Sequence, residues 1–129
     1  MAVFGLGSNY EGTDMTEKFV KNKVACIGYE PDEAPTLYNV FKSIKVGDIV
    51  YLKSKSPTSG LKIKAVGIAT STTQKSYKNL GYGIHVNWIV ETLPLKEFKD
   101  DKYNVRCNTI YEEYNDEIIQ FLVSLICKK

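Results

Sequence analysis

The sequence lacks the features that mark membrane and secreted proteins. No apolar run in its 129 residues approaches the roughly 18 residues that a membrane-spanning helix requires. The start, MAVFGLGSNY, has neither the basic residues nor the long apolar stretch of a secretory signal. With 43% apolar and 25% charged residues, the composition is that of an ordinary globular domain. We therefore expect a cytoplasmic protein without a membrane partner, folded as a single domain over residues 1–129.

Cysteine and histidine are scarce. The three cysteines, Cys26, Cys107 and Cys127, are widely spaced and form no C-x-x-C pair, and His85 is the only histidine. Three scattered thiols and one imidazole are a poor basis for a zinc site. The sequence predicts buried, reduced thiols, no metal site and no cofactor.

Arginine is nearly absent, since Arg106 is the only one. Its scarcity argues against a sequence-specific reader of duplex DNA, because the planar guanidinium is the group that most often reads guanine edges. Positive charge comes from lysine, and between positions 42 and 64 six lysines stand against Asp48 alone. Between positions 91 and 117, eight acids outnumber four basic residues. Such blocks are usually solvated surfaces, but the basic one suits an anionic partner and the acidic one has to face away from it.

No set of residues with catalytic spacing is present. No serine, cysteine or carboxylate can be tied to His85 by local spacing, so a catalytic triad has no support. The acids occur as adjacent pairs at positions 100–101, 112–113 and 116–117, on predicted turns and helix starts. Adjacency does not bring two carboxylates together across a site. The sequence therefore predicts a protein that is not an enzyme.

Hydrophobic periodicity predicts strands in the middle of the chain and helices near both ends. Strands are predicted over residues 2–7, 49–55, 61–71 and 84–91, with a short apolar piece over 24–29 and a weaker strand over 105–111. Helices are predicted after Asp14, over residues 37–44, and from Asn115 through Ile126. This order indicates an α+β fold: a strongly bent mixed or antiparallel sheet, partly closed into a small barrel, with helices at its edges.

Several local contacts follow from these elements. Asp14 and Glu17 resemble a capping box, and Tyr114 is expected to pack onto Ile119 as a hydrophobic staple. Alternation places Trp88 in the core and His85 on the polar face of their strand. In the same way, Val50 and Leu52 point to one side of the strand over 49–55, while Ile49, Tyr51, Lys53 and Lys55 point to the other.

Tyrosine is abundant, and several of the nine tyrosines lie at predicted strand ends or in loops. Tyr10 follows the first strand, Tyr29 ends the 24–29 segment, and Tyr77 and Tyr82 lie in a polar stretch. Aromatic rings beside lysines are suited to an unstacked base, because the rings stack on it and the ammonium groups offset phosphate charge. Tyrosines also bridge core and solvent in proteins that bind no nucleic acid, and composition alone leaves both interpretations open.

The order of segments resembles the PUA-like group of EVE and YTH-type domains. The likeness covers nearly the whole chain and is greatest to the EVE-like modules at the N-terminus of modification-dependent restriction GTPases and related defence proteins. The matching stretches are GTDMTEKF (12–19), IKVGDIVYLKS (44–54), IKAVGI (63–68), VNW (86–88) and TIY (109–111). The KVGD and IKAVG stretches in this order are the more specific part of the resemblance.

The resemblance implies a small curved β-barrel with flanking helices that accepts a flipped base, often methylated or otherwise modified, from DNA or RNA. It implies a base-binding site with nine members: Ser8, Asn9, Tyr10, Ile27, Gly28, Tyr29, Lys53, Ser54 and Lys55. In this site Tyr10 or Tyr29 would stack, Asn9 and Ser54 would bind base edges, and the lysines at the rim would contact phosphate.

Two departures from the family keep alternatives open. Where many relatives carry a tryptophan in the segment that corresponds to VACIGY, this chain has Ala25. It also carries no nuclease or GTPase domain, so an effector would be a separate protein chain. The leading hypothesis is a non-enzymatic nucleic-acid-binding module, and the rivals are a protein-interaction or regulatory domain and a binder of small molecules or nucleotides.

Overall fold

Among the described residues, six strands form the main path of a curled mixed sheet, two short strands pair at its side, and three helices flank it. The structure is a computed structural model that describes residues 1–55, 60–91, 97–99 and 105–128. The elements are β1 (Val3–Gly7), β2 (Asn9–Tyr10), β3 (Thr13–Asp14), α1 (Thr16–Asn22), β4 (Val24–Ile27), α2 (Pro35–Phe41), β5 (Ile49–Ser54), β6 (Leu61–Ala69), β7 (Lys75–Tyr77), β8 (Gly81–Val90), β9 (Glu97–Phe98), a 3-10 turn (Val105–Cys107), β10 (Ile110–Glu112) and α3 (Asp116–Cys127). None of the helices among these residues is long and apolar enough to cross a bilayer.

The order of the strands across the sheet is β10-β1-β5-β6-β8-β4. Strands β1 and β5 are parallel, and the other neighbours are antiparallel. The long strand β8 pairs with β4 and β7 through its first half and with β6 through its second half, which curls the sheet. This confirms the α+β fold with a bent mixed sheet and flanking helices.

The two faces of the sheet cover two separate cores. Val50 and Leu52 of β5 pack into the core that contains Phe4, Phe19 and Trp88. Ile49 and Tyr51 pack into the second core, beneath α3. The predicted alternation along β5 is therefore confirmed up to Leu52, where the β5–β6 register shifts and the regular pairing is interrupted before Lys53.

Helices α1 and α3 lie where the sequence predicts them, but some of the predicted contacts at their ends differ. In α1, Phe19 is buried as predicted, but Met15 occupies the N-cap and Asp14 accepts hydrogen bonds from the Thr16 N–H and hydroxyl, so the expected capping box does not form. In α3, the Asn115 side chain accepts the Ile118 N–H at 3.1 Å, which confirms the predicted cap. Tyr114 is 74% exposed, so the expected staple onto Ile119 does not form.

Of the remaining predictions, some need correction and others are confirmed. The predicted helix over 37–44 ends at Phe41, although Ile44 is buried beyond it. The predicted strand over 105–111 is divided into the 3-10 turn and β10. Of the three cysteines only Cys26 is buried, Cys107 being half-buried and Cys127 exposed, and all are free thiols.

Trp88 lies in the core and His85 is exposed, as expected. The acids at 100 and 101 lie outside the described residues.

Candidate ligand-binding cavity

A cavity of about 720 Å³ opens at one edge of the sheet. Because β1 and β5 run parallel, with Gly7 paired to Lys53, both strands end at this edge. The turn after β4 and the segment after the 3-10 turn complete the walls. The lining residues are Gly7, Asn9, Tyr10, Glu11, Gly28, Tyr29, Lys53, Ser54, Lys55, Cys107, Asn108 and Thr109.

The structure brings seven of the nine predicted site residues to this cavity. The two that do not line it, Ser8 and Ile27, are fully buried. The Ser8 hydroxyl lies 2.8 Å from the Thr16 hydroxyl and accepts a hydrogen bond from Lys64 at 3.3 Å. Ser8 thus joins β1 to α1 and β6 beneath the cavity, while Ile27 fills the core beside β8.

One wall of the cavity is aromatic, and we call Tyr10, Gly28 and Tyr29 the tyrosine wall. The Tyr10 hydroxyl donates to the Leu80 carbonyl at 2.8 Å, and its ring meets Phe19 edge-on at 5.9 Å. Burial raises the pKa of Tyr10, which therefore stays a neutral donor. A Cβ at Gly28 would come within 3.3 Å of the Tyr10 ring, so glycine leaves the space that this ring occupies.

The mouth of the cavity, formed by Tyr29 and Glu11, is more exposed to solvent than the part around Tyr10. Tyr29 is 52% exposed, and its backbone carbonyl accepts the Tyr38 hydroxyl at 2.6 Å. Glu11 lies in the turn between β2 and β3, where Gly12 has a φ of 90° that favours glycine. The Asn9 side chain accepts the Gly12 N–H at 2.8 Å and so fixes this turn. The ring of Tyr29 is thus a surface that a ligand can cover.

Lys53 belongs to the opposite wall and is far more buried than a rim lysine. Its side chain is 5% exposed, and its Nζ donates to the carbonyls of Arg106 and Asn108 at 2.8 and 2.7 Å. The ammonium also lies 5.5 Å from the centre of the Tyr111 ring. Burial lowers the pKa of Lys53 to about 8; the neighbouring Cys107 opposes this shift, and the nearby Lys64 and Lys55 add to it. The predicted rim position is therefore replaced by an interior one.

A buried ion pair anchors the segment that Lys53 touches. Arg106 donates to both carboxylate oxygens of Glu113, at 2.9 and 2.7 Å. Tyr51 donates to the same carboxylate at 2.7 Å, and its hydroxyl lies 2.6 Å from that of Tyr111. Burial alone would raise the pKa of Glu113, but the hydrogen bonds from Arg106, Tyr51 and the Asn115 N–H outweigh it and hold that pKa below its usual value. We call residues 106–109 with Lys53 the lysine wall.

Sequence reasoning missed the lysine wall except for Lys53. Cys107, Asn108 and Thr109 line the cavity, and the Thr109 carbonyl accepts the Gly7 N–H at 2.8 Å. The TIY stretch at 109–111 carried part of the family resemblance, and its position could have drawn attention to this segment. The charge pattern of the sequence did not indicate this segment, because the ion pair between Arg106 and Glu113 forms only in the folded chain.

Several hydrogen-bonding groups of the cavity have no protein partner in the part of the chain described. The side chains of Ser54, Asn108 and Thr109 make no hydrogen bond to another described residue, nor does the amide NH₂ of Asn9. Hydroxyl and amide groups both donate and accept. With two tyrosines and two lysines, they equip the cavity for a ligand that has a flat ring and acceptor oxygens.

Neither a metal-binding cluster nor Ala25 adds to this cavity among the described residues. Within the described ranges, no group of three or more histidines, cysteines or acids is placed to hold a metal ion. Ala25, which stands where the resemblance led us to expect a tryptophan, is fully buried in the core and does not line the cavity. No protein-family model and no curated protein matches this chain.

Proposed function

We propose that this chain is a non-enzymatic binding module of the EVE/PUA-like kind that receives an unstacked base of a single-stranded or locally opened nucleic acid. One observation carries the proposal: a single cavity gathers Tyr10, Tyr29, Lys53 and Lys55 from three separate segments of the chain. Stacking surfaces beside cationic groups are the combination that single-stranded nucleic acids require.

The cavity chemistry supports a base in particular. Its volume of about 720 Å³ is within the range of small-ligand sites and can hold a nucleotide. The Tyr10 ring is fixed by its hydrogen bond to Leu80, while Tyr29 is half-exposed at the mouth. A base entering between them would gain stacking, and its edge would meet amide and hydroxyl groups that recognise bases in other single-strand readers. Methylated and other modified bases belong to the same proposal, as does a separate effector chain in a defence system.

Fluorescence anisotropy with labelled oligonucleotides tests the proposal directly. Single-stranded, duplex and modified oligonucleotides are titrated at low salt, with the single strand expected to bind more tightly than the duplex. Stacking contributes about 1–3 kcal/mol per base, so Tyr29→Ala should weaken binding by roughly five- to 150-fold. Lys53→Ala should lower affinity and reduce the salt slope by roughly one unit if that ammonium faces phosphate.

A matched tyrosine is available as a control. Tyr114 is 74% exposed and lies outside the cavity, so Tyr114→Ala removes the same side chain without touching the site. This variant should bind as the unmodified protein does. Equal losses in Tyr29→Ala and Tyr114→Ala would contradict the proposed site, and the absence of binding at low salt would contradict the proposed function.

Cys107 offers a second readout inside the cavity. It is half-buried in the lining, whereas Cys26 is fully buried and Cys127 is exposed. In a Cys127→Ser background, a saturating oligonucleotide should slow alkylation of Cys107 by a maleimide, measured by mass spectrometry. Unchanged alkylation with bound oligonucleotide would place the ligand elsewhere on the molecule.

A further inference from the structure

Lys53 brings a positive charge into the cavity that no carboxylate of the described residues balances. Its ammonium donates two hydrogens to the carbonyls of Arg106 and Asn108. Among the described residues, no Asp or Glu lies within ion-pair distance of its Nζ. An ammonium has three N–H donors, so one donor of this group receives no hydrogen-bond acceptor from the described protein. A buried cation with an unused donor that lines a cavity favours an anionic ligand.

The groups around Lys53 include both basic and acidic side chains. The charged and titratable groups nearest to it, or on the same described cavity, are Lys55, Lys64, Cys107, Tyr111, Glu11, Tyr10 and Tyr29. Lys64 is paired with Asp14 at 3.2 Å, which offsets its charge. Two lysines and one acid therefore line the described cavity, and the acid stands in the turn between β2 and β3.

We infer that the cavity receives a phosphomonoester of a nucleotide, with a phosphate oxygen accepting the remaining hydrogen of Lys53. The inference rests on the proposed function and narrows its ligand. A monoester carries about −1.5 to −2 charges at pH 7 and offers three acceptor oxygens, whereas an internal diester carries a single charge. The hydroxyls of Ser54 and Thr109, which line the same cavity, supply further donors to these oxygens.

The burial of Lys53 decides between a terminal and an internal phosphate. A side chain that is only 5% exposed can be reached by a group that enters the cavity, and not by one that passes across its mouth. A terminal monoester can enter end-on, because only one side of it is joined to a nucleoside. An internal phosphate is flanked by two nucleosides, both of which would have to pass the walls. The same chemistry is presented by a free nucleoside monophosphate and by the phosphorylated end of a strand.

Affinity should then depend on pH in a defined direction. The pKa of Lys53 is lowered to about 8 in the free protein, and a bound phosphate dianion favours the ammonium. Binding therefore takes up a proton between pH 8 and 9, and the dissociation constant should rise as the pH passes 8, approaching tenfold per pH unit. Below pH 8 the affinity should be level down to about pH 6.5, where the phosphate itself begins to gain a proton.

The experiment compares strand ends on one short single-stranded sequence. Oligonucleotides with a 5′-phosphate, with a 3′-phosphate and with both ends as hydroxyls are titrated into the protein, alongside adenosine 5′-monophosphate and inorganic phosphate. Charge-assisted hydrogen bonds make a phosphorylated end bind roughly ten- to 100-fold more tightly than the hydroxyl-ended strand. Tight binding of the mononucleotide identifies a free nucleotide as the source, and binding of the phosphorylated strands alone identifies a strand end.

Each contrary result has a separate meaning. Equal affinity for phosphorylated and hydroxyl ends would overturn this inference and leave base binding intact. An affinity unaffected between pH 7 and 9 would overturn the role of Lys53. Binding of inorganic phosphate as tightly as the nucleotides would also contradict it, since the ligand would then need no base. Failure of every oligonucleotide to bind would overturn the proposed function as well.

A matched lysine pair completes the test. Lys53→Met removes the buried charge, while Lys62→Met removes an exposed lysine of β6 that belongs to the same basic stretch and is not part of the cavity lining. Lys53→Met should abolish the preference for phosphorylated ends, and Lys62→Met should retain it. Because Lys53 also holds two backbone carbonyls, its variant can lose stability; the pH titration of the unmodified protein tests the same charge without any substitution.

Discussion

The two walls of the cavity are built in different ways. The tyrosine wall comes from the segments after β1 and β4, and its outer ring, Tyr29, is 52% exposed. The lysine wall is secured by Glu113, which is 3% exposed and accepts hydrogen bonds from Arg106, Tyr51 and the Asn115 N–H. The tyrosine wall presents an exposed ring that few buried contacts hold, whereas buried contacts fix the position of the charge in the lysine wall. A ligand would therefore contact an adaptable tyrosine wall and a preorganised lysine wall.

Breaking the anchor of the lysine wall should have the largest effect. Glu113→Ala leaves Arg106 without its buried partner and removes an acceptor from Tyr51. Loss of one member of a buried ion pair costs about 3–5 kcal/mol, and we expect a decrease of that order in the free energy of unfolding, measured by urea denaturation. Glu117→Ala removes an exposed carboxylate at the start of α3 and should cost less than about 1 kcal/mol. Similar decreases in the unfolding free energy of both variants would show that Glu113 stabilises the fold no more than an exposed carboxylate does.

The charge of the lysine wall should appear as a pH dependence of stability. Lys53 has a pKa of about 8 in the folded chain and 10.5 as its reference value. Above pH 8 the unfolded chain therefore binds more protons at this group, so the stability contributed by Lys53 rises with pH, by about 1 kcal/mol between pH 8 and 9. Cys26 acts oppositely from about pH 9, because burial raises its pKa from 9.0 to about 12.

Comparing unmodified protein with Lys53→Met over this range isolates the lysine, since Cys26 is present in both. The difference in unfolding free energy should change by about 1 kcal/mol between pH 8 and 9. A constant difference would mean that the folded chain does not lower the pKa of Lys53.

The outer part of the tyrosine wall should contribute least to stability. Tyr29→Ala removes a half-exposed ring, and its hydrogen bond to Tyr38 runs through the backbone carbonyl, which the substitution keeps. We expect a change within about 0.5 kcal/mol in the free energy of unfolding, by the same denaturation assay. A decrease of more than about 2 kcal/mol in the free energy of unfolding would show that the Tyr29 ring stabilises the fold. Weaker binding by Tyr29→Ala could then not be attributed to a lost contact with the ligand.

Local patterns predicted the elements well. Alternation predicted β1, β5, β6 and β8 and the inward direction of Trp88, because a period of two decides which side chains face a core. Asn115 was found as the cap of α3 because a cap acts within one helical turn. The short strands β2, β3, β7 and β9 were missed, since two or three residues carry no periodicity.

The sequence by itself determined the longer strands, their buried faces and a lysine-rich strand end, because these depend on residues a few positions apart. The resemblance to EVE-like domains selected nine residues, and seven of them meet at one cavity. Only the tertiary structure decided that Lys53 is buried and that it contacts the carbonyls of Arg106 and Asn108, 53 and 55 positions away. Burial and the pKa that follows from it depend on what packs around a group, and the elements that pack around Lys53 come from distant parts of the chain.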